Sequence, residues 1–408
     1  VTVTFDPHAP EIIRDPYPAL HALMREAPVY WSNRLGGWCV TRYADVRQGF
    51  RDPRLSADRI RPFVAQARGA DMQAIGWLGE VLARWAVFND PPIHSRLRAP
   101  MATAFTSRAI QALRPNIAGI VNELIDGFAG QDEVDFHHAF AYPLPATVIA
   151  DVLGVPRADV EHLKRWSDAL AQFVLTSRTN PEKYRQAAAG LTEMVGYFDG
   201  FLAERRRHPG ELVTDAIIAA AAGDHALAVE DVTATCILLL FAGHETTTQL
   251  LANGLLALIE NPDQMADLRA QRHDPAVVRG AVEEMLRFDG PSLTSPRVAA
   301  ADFEWHGQAI RAGERVFLFN AAANRDPRVF ADPDRFDIRR AEAGRHLTFG
   351  YGIHFCVGAP LARLEAEVAF PILLDRLPHL ALARPRQDWS DSVVTRGMLR
   401  LPLRLAAA

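Results

Sequence analysis

Between Pro91 and Pro291 apolar residues recur mostly at three- and four-residue steps, the period of a helix with one buried face. From Ile110 to Phe128 the stripe is Ile110, Leu113, Ile117, Ile120, Val121, Leu124 and Phe128, which predicts one amphipathic helix. The longest proline-free helical stretch runs from about Val229 to Glu260, and Asn261-Pro262 predicts its end. Its centre is apolar nearly all round, so burial on every side is expected. Strand patterns flank this helical block. Trp38 to Tyr43 alternates, Gln308 to Phe319 reads as a hairpin turning at Ala312-Gly313, and short alternations such as Met398 to Leu405 close the chain. Helices in one block with strands set apart predict an α+β fold, mainly α, rather than an alternating α/β one.

Composition narrows the function. The chain has 408 residues, 49% apolar and 23% charged, enough for a large core and too apolar for disorder. That length allows two or three domains, yet no Ser/Gly linker divides the sequence. Lys+Arg 44 against Asp+Glu 49 leaves a net charge of −5, which argues against a nucleic-acid binder. Arg205-Arg206-Arg207, after Glu204, reads as a solvated helix end. Cys39, Cys236 and Cys356 form no C-x-x-C pair, no cluster spacing and no disulfide framework, which fits a reducing compartment. Val1 to Pro18 is too charged for a signal peptide or anchor, and the apolar run Cys236–Gly243 is far short of the ~20 residues that span a bilayer. A cytoplasmic protein without membrane contact is expected.

The most informative stretch is Phe349-Gly350-Tyr351-Gly352-Ile353-His354-Phe355-Cys356-Val357-Gly358. A glycine-punctuated loop ends at one cysteine, and a helical pattern follows from about Val357 to Leu377. Pro360 suits the first helical turn, whereas Pro371 is expected to kink or shorten the helix. Cys356 therefore sits where free backbone N–H groups and the helix dipole favour a thiolate, either a nucleophile or a metal ligand. Glycines 350, 352 and 358 let backbone approach a flat partner closely.

Phe349-Gly350-x-Gly352-x-His354-x-Cys356-x-Gly358, followed by Leu361-Ala362-Arg363, resembles the haem-binding signature of the cytochrome P-450 family. The resemblance implies haem b as cofactor, with Cys356 as the thiolate ligand of its iron and Phe349 and Gly358 beside it. Three further segments resemble the family in the same order. In Ala242-Gly243-His244-Glu245-Thr246-Thr247, Thr246 is placed to bond back to the Ala242 carbonyl and loosen the helix, with Gly243 leaving a gap. The resemblance assigns proton relay to Glu245 and Thr246. A zinc-hydrolase reading of His244-Glu245 fails, because Thr248 stands where H-E-x-x-H needs histidine. In Glu284-Met285-Leu286-Arg287 the acid and base share a helix face, and the resemblance adds Arg335 as the third member of a buried supporting triad. In Asn89-Asp90-Pro91-Pro92-Ile93-His94-Ser95-Arg96-Leu97-Arg98, Asp90 is a candidate helix cap, with His94 and Arg98 on one face. The resemblance assigns these two, with Arg297 and His354, to the haem propionates.

These segments run from about residue 10 to 405, implying a single haem-thiolate monooxygenase domain over 1–408, with haem between the long helix and the cysteine loop. Such an enzyme inserts one atom of dioxygen into an organic substrate and takes electrons from an external ferredoxin or flavodoxin. Arg96, Arg345 and Arg363 are candidate docking cations for that partner. By position against the family, Leu238, Ala242, Leu293 and Val394 are expected to face a hydrophobic substrate, while residues 60–88 and 165–190 carry nothing that selects one. The rival readings are a hydrogen-peroxide-dependent peroxygenase and a non-catalytic haem sensor. Neither needs the Glu245-Thr246 pair.

Overall fold

The computed structural model describes residues 5–175, 180–223, 227–385 and 387–405. Part of the expected wall segment 165–190 lies outside the described residues. The helices that matter below are, in chain order, α1 (Tyr43–Gly49), α2 (Ile93–Ala104), α3 (Arg114–Asp126), α4 (Val160–Val174), α5 (Lys183–Arg207), α6 (Val229–Glu260), α7 (Pro275–Asp289) and α8 (Ala359–Arg376). The strands are β1 (Val29–Ser32), β2 (Gly37–Val40), β3 (Leu55–Ser56), β4 (Glu133–Asp135), β5 (Ser295–Ala299), β6 (Phe303–Trp305), β7 (Gln308–Ile310), β8 (Arg315–Leu318), β9 (Ala381–Leu382) and β10 (Pro402–Arg404).

The chain divides into two compact units, one of residues 1–55, 111–145 and 245–408, the other of 56–110 and 146–244. Helix α6 contributes to both, changing unit between His244 and Glu245.

The first unit holds the sheets. One runs β1-β2-β8-β5-β3, with β2 and β8 parallel and β5 antiparallel to β8. Successive side chains of a strand point to opposite faces, and here both faces are buried. Trp38, Val40, Val316 and Leu318 join Val46, Phe50 and Leu347 in one apolar cluster, whereas Cys39, Phe317 and Phe319 join Leu20, Leu23 and Val393 in another. The second unit is helical. There Phe63, Phe173 and Tyr184 meet in tilted and edge-on pairs at centroid separations of 5.6–6.2 Å, and Trp85 lies over Phe88 at 5.7 Å.

Three expectations change. The stripe from Ile110 is not one helix: a short helix Ser107–Gln111 ends, and α3 restarts with Pro115 in its first turn, where a missing N–H costs nothing. Ile117, Ile120, Val121 and Ile125 keep the buried face. The expected hairpin over Gln308–Phe319 is also absent. Strand β7 pairs with β6, around His306 (φ +49°) and Gly307 (φ +75°), while β8 joins the other sheet. A tight hairpin turn of the I′ type needs two left-handed residues; at Ala312-Gly313 only the glycine is left-handed. Finally, Pro371 does not shorten α8, which continues to Arg376. Helix α6 spans Val229–Glu260 as expected, and Pro262 opens the next helix.

Candidate active site

The loop before α8 reverses direction at Gly350 (φ +72°) and Gly352 (φ +73°), a backbone region that side chains disfavour. It closes when the Cys356 N–H donates to the Phe349 carbonyl at 3.0 Å and the Phe355 N–H to the Gly352 carbonyl at 3.1 Å. Helix α8 then starts, with Leu361 and Ala362 N–H groups donating to the Gly358 carbonyl, each at 3.0 Å. Cys356 is half-buried, whereas Cys39 and Cys236 are buried. Burial pushes the Cys236 thiol up to about 12 and raises that of Cys39 further. Only Cys356 of the three offers its sulfur to an incoming group. A methyl at Gly358 would lie 3.9 Å from Sγ, in ordinary van der Waals contact with the sulfur.

The loop is braced from behind. Glu283 on α7 accepts from Arg363 Nε at 2.5 Å and pairs with His346 Nε2 at 3.2 Å, while His346 Nδ1 accepts the Thr348 N–H at 3.2 Å. Burial alone would raise the Glu283 carboxyl, but hydrogen bonds and charge from His346 and Arg363 outweigh it and pull it down to about 2. The Arg363 guanidinium lies 4.6 Å from the centre of the Phe349 ring. Arg363 thus pairs inside the first unit, with its side chain 27% exposed. Arg345 is exposed, and its carbonyl accepts the Tyr43 hydroxyl at 2.9 Å. On the other flank Arg47 donates to the Tyr351 hydroxyl at 2.7 Å, and Arg51 lies 5.5 Å from that ring. Sequence reading missed Glu283, His346, Arg47 and Arg51; the Glu283-Glu284 doublet was the available signal.

The neighbouring acid supports the chain before the loop. Glu284 grips Arg287 through both carboxylate oxygens, at 2.7 and 2.8 Å, and accepts from Arg340 Nε at 3.2 Å and the Asp337 N–H at 2.9 Å. Arg335 is not the third member. Its side chain is 64% exposed, 3.9 Å from Asp337, and only its carbonyl reaches Arg287. Arg340, five residues later, takes the buried place.

In α6 the apolar pattern opens at two positions. Ala242 and Thr246, one turn apart, are exposed, whereas His244, Thr247 and Thr248 are buried and Glu245 is half-buried. Gly243 is filled rather than gapped, since a Cβ there would lie 2.8 Å from Ile149 Cγ1. Leu238 is buried in the same helix. Leu293 and Val394 are brought together, the Leu293 N–H donating to the Val394 carbonyl at 2.9 Å.

In the second unit His94 is buried, and burial first, then the charge of Arg98, lowers its affinity for a proton. The two stand four residues apart on α2, on one side of the helix. Asp90 is not their helix cap: its carboxylate accepts the Ala57 N–H at 2.9 Å and the Ser56 hydroxyl, and its carbonyl takes the His94 N–H. Arg96 is half-exposed, 3.9 Å from Asp231. In the first unit Arg297 is nearly buried, its guanidinium 5.4 Å from the Phe50 ring centre and donating to the Pro296 carbonyl at 2.9 Å. His354 is half-buried in the cysteine loop.

These donors fit haem b. A soft sulfur stands at a helix start for iron, and guanidinium and imidazole groups suit propionates. A profile of the family Cytochrome P450 matches residues 78–391. The chain belongs to the cytochrome P450 family. It is 40% identical to cytochrome P450 107B1 of Saccharopolyspora erythraea, over 95% of this chain and 94% of that one. It is 39% identical to a vitamin D(3) 25-hydroxylase of Pseudonocardia autotrophica, over 96% and 94%. Among solved structures it resembles P450BioI in complex with hexadec-9Z-enoic acid ligated acyl carrier protein, at TM-score 0.88 and 34% identity, over 97% and 99%. The chain is a haem b monooxygenase with the α-rich cytochrome P450 fold. Among the described residues no helix is long and apolar enough to cross a membrane.

Proposed function

We propose that this cytochrome P450 inserts one atom of dioxygen into a hydrophobic small organic molecule, using electrons from an external ferredoxin or flavodoxin. The carrying observation is the turn of α6 at which Ala242 and Thr246 are accessible while the other residues from Asp231 to Leu258 are buried or half-buried, with Glu245 between the two in sequence. Bound haem supplies the oxidising chemistry and accepts the electrons. The Cys356 thiolate holds its iron, Phe349 and Gly358 shape the approach to the sulfur, and His94, Arg98, Arg297 and His354 bind the propionates. Thr246 holds a proton at its hydroxyl, and Glu245 passes protons to it from water. Leu238, Ala242, Leu293 and Val394 contact the substrate; their lack of polar groups supports a hydrophobic ligand, as does the name of the vitamin D(3) 25-hydroxylase. Three free cysteines support a cytoplasmic location. The two compact units act as one catalytic domain, a reading supported by a family match that spans both.

The Thr246→Ala variant tests this. It is expected to retain haem and to divert at least half of the electrons consumed to hydrogen peroxide, measured as peroxide formed per reduced nicotinamide cofactor oxidised. Unchanged peroxide yield in a haem-loaded variant refutes the assigned relay.

A further inference from the structure

Residues 388–399 fold back on themselves. Trp389 bridges Met398, the Ser390 N–H donates to the Gly397 carbonyl at 2.9 Å, and the Leu399 N–H to the Asp388 carbonyl at 2.8 Å. The outer turn of this strap is tied on one side to Leu293-Thr294. The Val394 carbonyl accepts both of their N–H groups, at 2.9 and 3.2 Å, and the Thr294 hydroxyl donates to the Val393 carbonyl at 2.6 Å. The returning arm is tied to α6. Gln249 Oε1 accepts the Met398 N–H at 2.9 Å, and one turn further Asn253 donates to the Arg396 carbonyl at 3.1 Å and the Asp289 carbonyl at 2.8 Å. Arg396 locks the same arm, bonding Asp289 and the carbonyls of Ile13 and Arg14 at 2.6–3.1 Å.

Gln249 runs directly across the backbone of Gly397: a Cβ there would stand 2.2 Å from its Cδ. The side chain is therefore a spacer as well as an acceptor. It lies three residues after Thr246 and four after Glu245, so it projects from the side of α6 that they share. We infer that Gln249 is a positioning residue that holds the strap carrying Val394 in register with the Glu245–Thr246 turn, and so sets the size of the hydrophobic group admitted beside it. This rests on the haem-thiolate reading proposed above. If the Met398 N–H loses its acceptor it must seek another, and the arm of the strap shifts to find one.

Two replacements of equal length separate acceptor from bulk. Gln249→Met fills the space without accepting; Gln249→Glu fills it and accepts. The haem-loaded proteins are titrated with imidazole and with 4-phenylimidazole, following the Soret band. Gln249→Met is expected to lose about fivefold in 4-phenylimidazole affinity relative to imidazole, the factor equivalent to about 1 kcal/mol, while Gln249→Glu keeps the parent ratio. Gly397→Ala, which pushes on the strap from the opposite side with Gln249 intact, is expected to change the ratio as well, and covers the case in which Gln249→Met fails to accumulate. An unchanged ratio in Gln249→Met or Gly397→Ala, or an equal change in Gln249→Glu, overturns the inference alone. A parent protein whose Soret band does not move with imidazole overturns the haem-thiolate reading and this inference with it.

Discussion

Replacing Glu284 by alanine strips the partner from two guanidinium groups that have almost no access to water. The side chains of Glu284 and Arg287 are 0% exposed and that of Arg340 is 6% exposed. Arg287 and Arg340 also hold the carbonyls of Asn324, Ala331, Asp332, Pro333 and Arg335, so the charges cannot swing out without releasing the segment that precedes the cysteine loop. Breaking a buried pair from one side costs ~3–5 kcal/mol, since the remaining charge stays desolvated. Glu284→Ala is therefore expected at or beyond that range, and Arg340→Ala at about 3 kcal/mol. Arg335→Ala is expected below ~0.5 kcal/mol, because its exposed charge is screened by solvent. Denaturant unfolding of the haem-loaded proteins, followed by the Soret band and by far-ultraviolet circular dichroism, measures all three. A cost for Arg335→Ala equal to that of Arg340→Ala refutes the assignment of the buried place.

The Glu283 carboxyl, held near 2 in the folded protein against an ordinary 4.5, contributes stability that is complete above about pH 4.5 and is lost as pH falls toward 2. Glu283→Gln is expected to flatten this acid limb, so its deficit in denaturation midpoint relative to the parent shrinks from pH 5 to pH 3; a constant deficit contradicts the pairing. Glu365 on α8 is fully buried, and burial raises its carboxyl well above the usual range. Here the sign reverses: stability is greatest below the ordinary carboxylate pKa and falls as pH rises toward the folded value, so Glu365→Gln is expected to be more stable than the parent at pH 7.5 and level with it at pH 4. An acid-side gain instead would mean the carboxylate has a cation. Arg47→Glu with Arg51→Glu, next to the cysteine loop through Tyr351, is expected to slow reduction by an acidic ferredoxin at least tenfold at low salt and to leave 4-phenylimidazole binding unchanged. Stopped-flow reduction rates decide it.

Helix α6 was readable because no proline interrupts it and Asn261-Pro262 follows it. The cysteine loop was readable because two left-handed glycines and one cysteine leave few alternatives. Local spacing failed where a choice depended on distant packing. Arg335 and Arg340 lie in the same irregular segment, and which guanidinium turns inward is decided by Glu284 on α7, about 50 residues upstream. The hairpin was misassigned because Ala312-Gly313 and His306-Gly307 each offer one glycine, and the left-handed histidine that selects the second turn leaves no mark in the sequence. The division into two units was invisible for a similar reason: the chain crosses between them four times, with no change of composition at any crossing. The strap at 388–399 is held by backbone hydrogen bonds and by side chains distant in sequence, Gln249 and Asn253 among them, which local patterns do not encode.

The central claim is that the Cys356 sulfur, deprotonated, binds haem iron. Its most direct test is the absorption spectrum of the reduced, carbon-monoxide-treated protein beside that of Cys356→His. The parent is expected to show the strongly red-shifted Soret band that a thiolate ligand produces, and the variant the shorter-wavelength band of an imidazole-bound haem. A parent spectrum of the imidazole type, or a red-shifted band that survives in Cys356→His, contradicts the account.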